Sequence, residues 1–339
     1  MAYDPGELYY DPILTGFSVG FQDQQLYGEQ LAPVTRVNTP SGRYRVFDRS
    51  NWIMYNSRRE PQTVANEIQA RKWSEDEFKT QGHSLQVGIA DEEREVLVSQ
   101  GGFADPVFGG ALSIDPDADG TEDTTGALLL EHEKKVSTIF RDVTQYPAGN
   151  VLTLSGTSQW SDYSGGVASV SDPVGNLKLG VQTIHLLTGR WPNTMIIPFD
   201  GVGVIENHPR ITIRFQNWTM QYADAWKVIL GIPEAAGINI FIVDSKFNAA
   251  NNVDAPEDIQ SFWGQDVWLG IVDPSEGQKI KTFAKTFCFP YANNQVRTVD
   301  RWREEEKKRD VIRSSYRYDV KVASNVAGFL FKNAVAAIS

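Results

Sequence analysis

The stretch that decides the fold is Pro192-Asn-Thr-Met-Ile-Ile-Pro-Phe-Asp-Gly-Val-Gly-Val-Ile-Glu-Asn-His-Pro-Arg-Ile211. Its apolar run at 194–197 predicts a short buried strand, residues 199–207 predict a short helix, and His208-Pro209 marks a turn. Around it, strands and helices intermingle without a regular alternation. This pattern favours an α+β fold over a doubly wound parallel sheet.

A second informative stretch closes the chain, Tyr318-Asp-Val-Lys-Val-Ala-Ser-Asn-Val-Ala-Gly-Phe-Leu-Phe-Lys-Asn-Ala-Val335. It predicts returning strands, which follow others at 280–289, 296–302 and 311–322. Apolar runs at 238–243 and 267–272 predict two more strands. Asp172-Pro173 is a good helix start, and Gly189 a good helix end, for an apolar repeat between them.

A long amphipathic helix is predicted over 124–146, ending before Pro147. Its apolar stripe consists of Leu129, Val136, Ile139, Phe140 and Val143. Glu133 is assigned to the polar face, and His132, beside it, is interpreted as a surface histidine.

The first 88 residues lack a core of their own. Residues 1–40 show neither helical nor strand periodicity but carry spaced apolar anchors, among them Phe17 and Phe21, which favours an ordered arm on another surface. Arg43-Tyr-Arg-Val-Phe-Asp-Arg49 alternates polar and apolar residues and predicts one strand of a long hairpin. A lone hairpin is marginal in water, so we expect it to lie on another surface, in particular another chain.

The hairpin carries the most basic region of the chain. Its arginines are Arg43, Arg45, Arg49, Arg58 and Arg59. They are candidate contacts to an acidic neighbouring subunit; the alternative is a solvated face with scattered ion pairs.

Composition excludes several classes of protein. The 339 residues carry a net charge of −11, which argues against a basic nucleic-acid footprint. No apolar run reaches the ~18 residues of a membrane span. Cys288 is the only cysteine, so neither a disulfide framework nor a thiolate zinc site is expected. No phosphate-binding loop or nucleophile elbow occurs, and we predict no catalytic residue and no cofactor.

One acidic motif resembles a calcium loop. In Asp115-Pro-Asp117-Ala-Asp119-Gly120 the acids stand at loop positions 1, 3 and 5 and glycine at 6. Position 12, however, is Gly126 rather than glutamate. We therefore interpret the motif as an acidic turn before the long helix and keep calcium binding by Asp115, Asp117 and Asp119 as the alternative.

The order of these parts resembles the major capsid proteins of tailed double-stranded DNA phages with the HK97 fold. The stretches 192–211 and 318–335 carry the resemblance, with weak support from Gly42-Arg-Tyr-Arg-Val-Phe47. The resemblance implies an N-arm (1–40) under neighbouring subunits, an E-loop (41–87), a peripheral domain with a long spine helix (88–170 and 279–322) and an axial domain (171–278 and 323–339).

The resemblance also implies a function: self-assembly through pentamers and hexamers into an icosahedral virion capsid that encloses DNA without reading its sequence. Expected partners are other copies of the chain, a portal protein and, because the chain starts almost at the arm, a separate scaffolding protein. Assembly in the bacterial host cytoplasm is expected. Two alternatives stay open, an encapsulin-like nanocompartment shell and a soluble carbohydrate-active enzyme that uses tryptophans and paired carboxylates.

Overall fold

The computed structural model describes residues 11, 14–15, 18–19, 26–47, 57–58, 64, 67, 73–92, 94–95, 103–104, 111–112, 116–166, 170–215, 229–231, 237–249, 258–275, 282–291 and 294–336. Its helices are α1 (Gly28–Leu31), α2 (Pro116–Arg141), α3 (Pro173–Thr188), α4 (Phe199–Glu206) and α5 (Pro209–Phe215). The predicted helix at 199–207 is confirmed within one residue, and so is the helix between the Asp172 cap and Gly189, whose φ is 62°.

The long helix α2 has 26 residues and differs from the prediction at both ends. It begins at Pro116, a residue suited to the first helical turn. Thr121 and Thr124 lie inside the helix, and their hydroxyls donate to the carbonyls four residues earlier, at 2.8 and 2.9 Å. At the other end the chain leaves the helix after Arg141, and Asp142 caps a separate 3₁₀ turn, Val143–Gln145. The predicted span 124–146 was therefore wrong.

Five strands form the first sheet. They are β1 (Val34–Arg36), β4 (Gln81–Ala90), β13 (Ala284–Cys288), β14 (Arg297–Glu304) and β15 (Arg309–Val322). The long strand β15 is central: β4 pairs antiparallel along one side, while β14 and β13 follow each other along the other side. β1 adds to β13 in parallel. Helix α2 packs across one face of this sheet, since a Cβ on Gly120 would meet Val87 and Ile89 of β4 and Ile312 of β15.

The second sheet has the order β7-β16-β12-β8-β9. Its strands are β7 (Val151–Thr153), β8 (Thr194–Pro198), β9 (Asn239–Val243), β12 (Val267–Gly270) and β16 (Gly328–Lys332). The predicted buried strand at 194–197 is thus confirmed as β8, which is followed directly by α4. Helix α3 lies close on this sheet at Gly180, where a Cβ would be 2.9 Å from Phe331.

Three two-stranded ladders complete the described strands. They are β2 (Ser41–Phe47) with β3 (Trp73–Lys79), β5 (Phe103–Ala104) with β6 (Ala111–Leu112), and β10 (Lys246–Asn248) with β11 (Ile259–Ser261). The β2–β3 ladder is the predicted hairpin. Thr80 alone separates β3 from β4, so the hairpin continues directly out of the first sheet.

One hydrophobic core joins both sheets and α2. Phe140 of α2 packs edge-on against Trp268 and Phe283, with ring centroids 4.7 and 4.9 Å apart. The core also contains Trp160 and Trp263, fully or almost fully buried. Trp160, Trp263 and Trp268 are therefore core residues and do not line a sugar groove. β7, which the predicted division gives to the peripheral domain, pairs with β16 in the second sheet.

Candidate assembly surfaces

The base of the β2–β3 hairpin is fixed to the first sheet by stacking and hydrogen bonds. Phe78 stacks on Phe287 of β13, with centroids 4.7 Å apart and planes 15° from parallel. The Tyr44 hydroxyl lies 2.8 Å from Oδ2 of Asp76 and 2.9 Å from the carbonyl oxygen of Val322. Burial is the main cause that raises the pKa of Tyr44 well above its ordinary value, and the neighbouring Asp76 carboxylate raises it further. The hydroxyl therefore stays a donor.

Beyond this base the described residues of the hairpin are exposed, apart from the half-buried Val46. Arg43 of β2 donates to Glu77 of β3 at 3.1 Å and lies 3.5 Å from Glu75. Both pairs are solvent-exposed, where an ion pair contributes only about 0–1 kcal/mol. The acidic neighbour of Arg43 therefore lies in the same hairpin, in agreement with the scattered-ion-pair alternative for this residue.

The other basic candidates are distributed differently. Arg45 lies on β2 opposite Glu75 and is exposed. Arg58 is also exposed, whereas Arg49 and Arg59 lie outside the described residues. Contact of these side chains with a second subunit stays a prediction.

The described part of the arm lies on its own chain. The Thr15 hydroxyl accepts a hydrogen bond from the Val299 backbone N–H at 3.0 Å, and the Ser18 hydroxyl forms a 2.8 Å hydrogen bond with the hydroxyl of Thr125 in α2. Leu14 is buried against β14 and β15. Phe17 and Phe21, the predicted anchors, lie outside the described residues. The described contacts of residues 11, 14, 15, 18 and 19 are thus made with their own subunit, while placement of the arm under neighbouring subunits stays a prediction.

Two consecutive residues in the middle of α2 hold the end of the arm. Glu133 is fully buried and accepts hydrogen bonds from Trp263 Nε1 at 2.7 Å and from the Tyr27 backbone N–H at 3.1 Å. Burial raises the pKa of Glu133 above its usual range. Gly28 comes so close that a Cβ there would lie 2.8 Å from Oε2 of Glu133 and 2.9 Å from Nδ1 of His132.

His132 is buried, so its interpretation as a surface histidine was wrong. Its Nε2 lies 3.0 Å from the hydroxyl of Thr286, and that hydroxyl donates its proton to the carbonyl of Ala32 at 2.9 Å. The imidazole must therefore donate through Nε2, which assigns the tautomer. Burial lowers the pKa of His132 to about 3, and the ring is neutral at pH 7.

Sequence analysis missed Glu133 as well, although a signal existed. Glu133 is four residues after Leu129 and seven before Phe140, which places it on the apolar stripe of the helix. A charged residue on such a stripe indicates a buried polar contact. Val143, assigned to that stripe, is 44% exposed because the helix has already ended.

Asp117 and Asp119 of the acidic motif are helical, so the interpretation of the motif as a turn before the long helix was wrong. Asp117 and Asp119 lie in the first turn of α2, and Asp115 lies outside the described residues. The Asp117 carboxylate is held by Arg94, at 2.7 and 3.2 Å, and by Arg301 at 2.8 Å. Two guanidinium groups thus neutralise this carboxylate. In the described part of the chain, no three His, Cys, Asp or Glu side chains are grouped to hold a metal ion.

Residues 301–310, which are almost all charged, comprise the end of β14, the turn that follows it and the start of β15. Asp310 binds Arg94 and Arg301, at 3.2 and 2.9 Å, and Arg303 also forms a bidentate pair with Asp91. The block therefore joins the end of β4, the start of α2 and the β14–β15 turn within one subunit.

Two further observations concern chemistry. Cys288 is buried, and burial raises the pKa of its thiol to about 12, so it is not a thiolate nucleophile at pH 7. Among the described residues no helix has the length and apolarity needed to cross a membrane.

The chain is similar to known proteins over nearly its whole length. No protein-family model matches it. The major capsid protein of Burkholderia phage BcepMu is 24% identical over 323 residues, which cover 94% of this chain and 95% of that protein. The crystal structure of a phage-related protein from Bordetella bronchiseptica RB50 has a TM-score of 0.71 at 19% identity and covers 96% of this chain and 98% of its own.

A capsid structure shows the same fold at lower similarity. The capsid protein of cyanophage P-SCSP1u has a TM-score of 0.55 at 12% identity, covering 98% of this chain and 92% of its own. The predicted α+β, HK97-like capsid fold and the resemblance to tailed-phage major capsid proteins are confirmed.

Proposed function

We propose that this chain is the structural subunit of an icosahedral shell that encloses phage DNA. The chain has the fold of phage major capsid proteins, and it is similar in sequence to one of them over nearly its full length. The observation that carries the proposal is the sequence match with the BcepMu major capsid protein, which covers 94% of this chain and 95% of that protein. A match of this extent is not limited to one sheet or to a shared core.

The geometry of the hairpin supports the same conclusion. Strands β2 and β3 touch the rest of the subunit at Phe78, Tyr44 and Lys79, and the described residues beyond that base are exposed, apart from the half-buried Val46. An isolated two-stranded ladder is marginal in water, and a shell supplies neighbouring subunits that cover it. A soluble carbohydrate-active enzyme gives no reason for such a projection.

The encapsulin-like alternative shares the fold, so the fold alone does not separate the two functions. The sequence similarity to the BcepMu protein favours the phage capsid function over the encapsulin-like one, because that protein is a phage major capsid protein. We therefore favour a shell around a genome over a shell around an enzyme, and a structural role over a catalytic one.

The finer features follow from the same proposal. Rings of five and six copies would form the shell, with a separate scaffolding protein and a portal protein as partners in the bacterial cytoplasm and the virion capsid as the final location. The arm, hairpin, peripheral and axial divisions predicted from the sequence are adopted as the working domain description, with β7 moved to the axial domain because it pairs with β16. The net charge of −11 suits a container that must release DNA, since phosphate contacts would add affinity.

Negative-stain electron microscopy tests the proposal. The chain is expressed alone and together with the candidate scaffolding protein encoded beside it. Closed shells or rings of five and six subunits are the expected result, and shells that need the scaffold would favour phage over encapsulin. A homogeneous monomer under both conditions, together with an ordered hairpin, would contradict the proposal.

A further inference from the structure

The two long edges of the first sheet, β14 and β4, differ in whether the described part of the arm covers them. On β14, the Val299 N–H donates to the Thr15 hydroxyl and the Val299 carbonyl accepts from the Asp11 N–H at 3.2 Å, so the arm covers part of this edge. On β4, every strand pairing that the structure describes goes to β15. The outer edge of β4 has no partner among the described residues.

The β4 edge also lacks the usual protection against pairing. Its ten residues, Gln81-Gly-His-Ser-Leu-Gln-Val-Gly-Ile-Ala90, contain no Lys, Arg, Asp, Glu or Pro. Its register with β15 runs one to one from Gln81 to Ala90, without a bulge. Soluble proteins blunt exposed edges with charges, prolines or bulges. β4 therefore offers a straight template of ~34 Å at about 3.4 Å per residue.

The neighbouring hairpin shows that the chain does protect edges elsewhere. β3 carries Glu75, Asp76 and Glu77 in succession, and β2 carries Arg43 and Arg45. The charges stop at Lys79, one residue before the turn into β4. Of the three consecutive strands β2, β3 and β4, only β4 lacks charged residues.

One apolar side chain on β4 is covered less than its neighbours on the same face. Val87 and Ile89 lie under α2, as the close approach of both to Gly120 shows. Leu85 belongs to the same face because strand side chains alternate, yet it remains 40% exposed. A strand added beside β4 would bring a cross-strand partner within about 5 Å of Leu85 and cover it.

The net charge of the chain indicates which partner pairs with the outer edge of β4. Copies of a chain with net charge −11 repel each other, so contacts between copies are least costly where the surface is neutral. A neutral strand gives no advantage to a strongly charged partner such as a nucleic acid. We propose that the outer edge of β4 pairs with an extended strand from a second copy of this chain in the assembled shell. This inference rests on the proposed function and assigns one of its subunit contacts.

Hydrogen–deuterium exchange on the unmodified chain, free and in particles, tests the inference. Half of the β4 amides bond to β15 and should exchange slowly in both states. The others, which point outward, should exchange at least about tenfold more slowly in particles than in free subunits. The β14 amides that face the arm are the internal reference and should change little.

A matched pair of variants tests the same edge by assembly yield. Leu85→Lys places a charge on the strand, while Leu85→Thr keeps it neutral with a good strand former. We expect Leu85→Thr to form particles and Leu85→Lys to lose at least about nine-tenths of them, with unchanged circular dichroism. The exchange comparison uses the unmodified chain and decides the matter even if Leu85→Lys does not fold.

The outcomes separate this inference from the proposed function. Particles whose outward β4 amides still exchange fast would overturn the inference alone. Outward amides already protected in the free subunit would mean that the same chain covers the edge, and protection that needs a different added protein would identify another occupant; both overturn it. If the chain forms neither particles nor smaller oligomers, the proposed function and the inference fall together.

Discussion

Arg141, the last residue of α2, donates through Nε to the buried carboxylate of Asp266 at 2.7 Å. Asp266 immediately precedes β12 and also accepts from Lys332 Nζ at 2.8 Å and from the Asn333 backbone N–H at 2.8 Å. One carboxylate thus ties the end of the long helix to the second sheet. Because α2 packs on the first sheet, this contact fixes the two sheets relative to each other.

Asp266→Asn should lower the free energy of unfolding by roughly 1–3 kcal/mol. The substitution leaves two cations without their counter-charge, but both are partly exposed, which keeps the loss below that of a fully buried pair. Urea unfolding monitored by tryptophan fluorescence gives the value. Glu122→Gln, on the exposed face of α2, is the control and should stay within about 0.5 kcal/mol of the parent. Equal values for both variants would contradict this role of Asp266.

Gly28→Ala should destabilise the protein by about 1–3 kcal/mol, because the added methyl group would meet the Glu133 carboxylate and the His132 ring. Gly203→Ala is the matched control, since a Cβ on this α4 residue meets nothing within 4 Å. That variant should be neutral or more stable by up to about 1 kcal/mol. Thermal unfolding of the two variants side by side checks the prediction, which fails if Gly28→Ala melts with the parent.

Tyr44→Phe should loosen the hairpin without unfolding the subunit. The hydroxyl bonds to Asp76 and Val322 are lost, at about 0.5–1.5 kcal/mol, while the ring contact with Phe287 remains. Hydrogen exchange of residues 41–47 and 73–79 should accelerate by up to about tenfold. Tyr163→Phe removes a comparable hydroxyl bond, to Val204 at 2.7 Å, and should leave hairpin exchange unchanged. If both variants behave alike, the Tyr44 hydroxyl does not hold the hairpin base.

His132 should make stability depend on pH in a defined window. In the unfolded chain the imidazole binds a proton below about pH 6.5, whereas burial lowers its pKa to about 3 in the native state. The unfolded state therefore binds more protons between these values, and the contribution of His132 to stability is lost as the pH falls from 6.5 towards 3. The slope for one such group approaches 1.4 kcal/mol per pH unit, on the order of RT ln 10.

Unfolding free energies of the parent and His132→Asn between pH 7 and pH 5 check this expectation. The advantage of the parent over the variant should shrink by roughly 1–2 kcal/mol across that range. Thr286→Val removes the hydrogen-bond partner but keeps the titrating ring, so its deficit should change little with pH. A constant difference between the parent and His132→Asn would disprove the assignment.

Local sequence patterns gave correct predictions for elements whose structure depends only on residues within the element and next to it. The strand at β8 and the helix that follows it come from an apolar run and a glycine-containing segment next to each other. The cap at Asp172 accepts the Gly175 N–H at 3.0 Å, as its position before Pro173 indicated. The hairpin also followed from alternation alone, because the strand period of two is written directly in the sequence.

The candidate contact residues were only partly predictable. Exposure of Arg43 and Arg45 follows from their places in an alternating strand. The partner of Arg43 depends on register, since Arg43 stands opposite Glu77 only when β2 and β3 pair as they do. Register is decided by both strands and their connection together, which a reading of one strand does not provide.

By itself, the sequence determined the α+β class, the main strands, the helices α3 and α4 and the hairpin, because these depend on residues close together along the chain. The tertiary structure decided that Glu133, His132 and Asp266 are buried, that the start of α2 moves to Pro116, and that the described arm residues dock on their own subunit. The physical reason is the same in each case. Burial of a side chain is set by what packs over it, and here the covering residues Trp263, Thr286 and Lys332 come from distant parts of the chain.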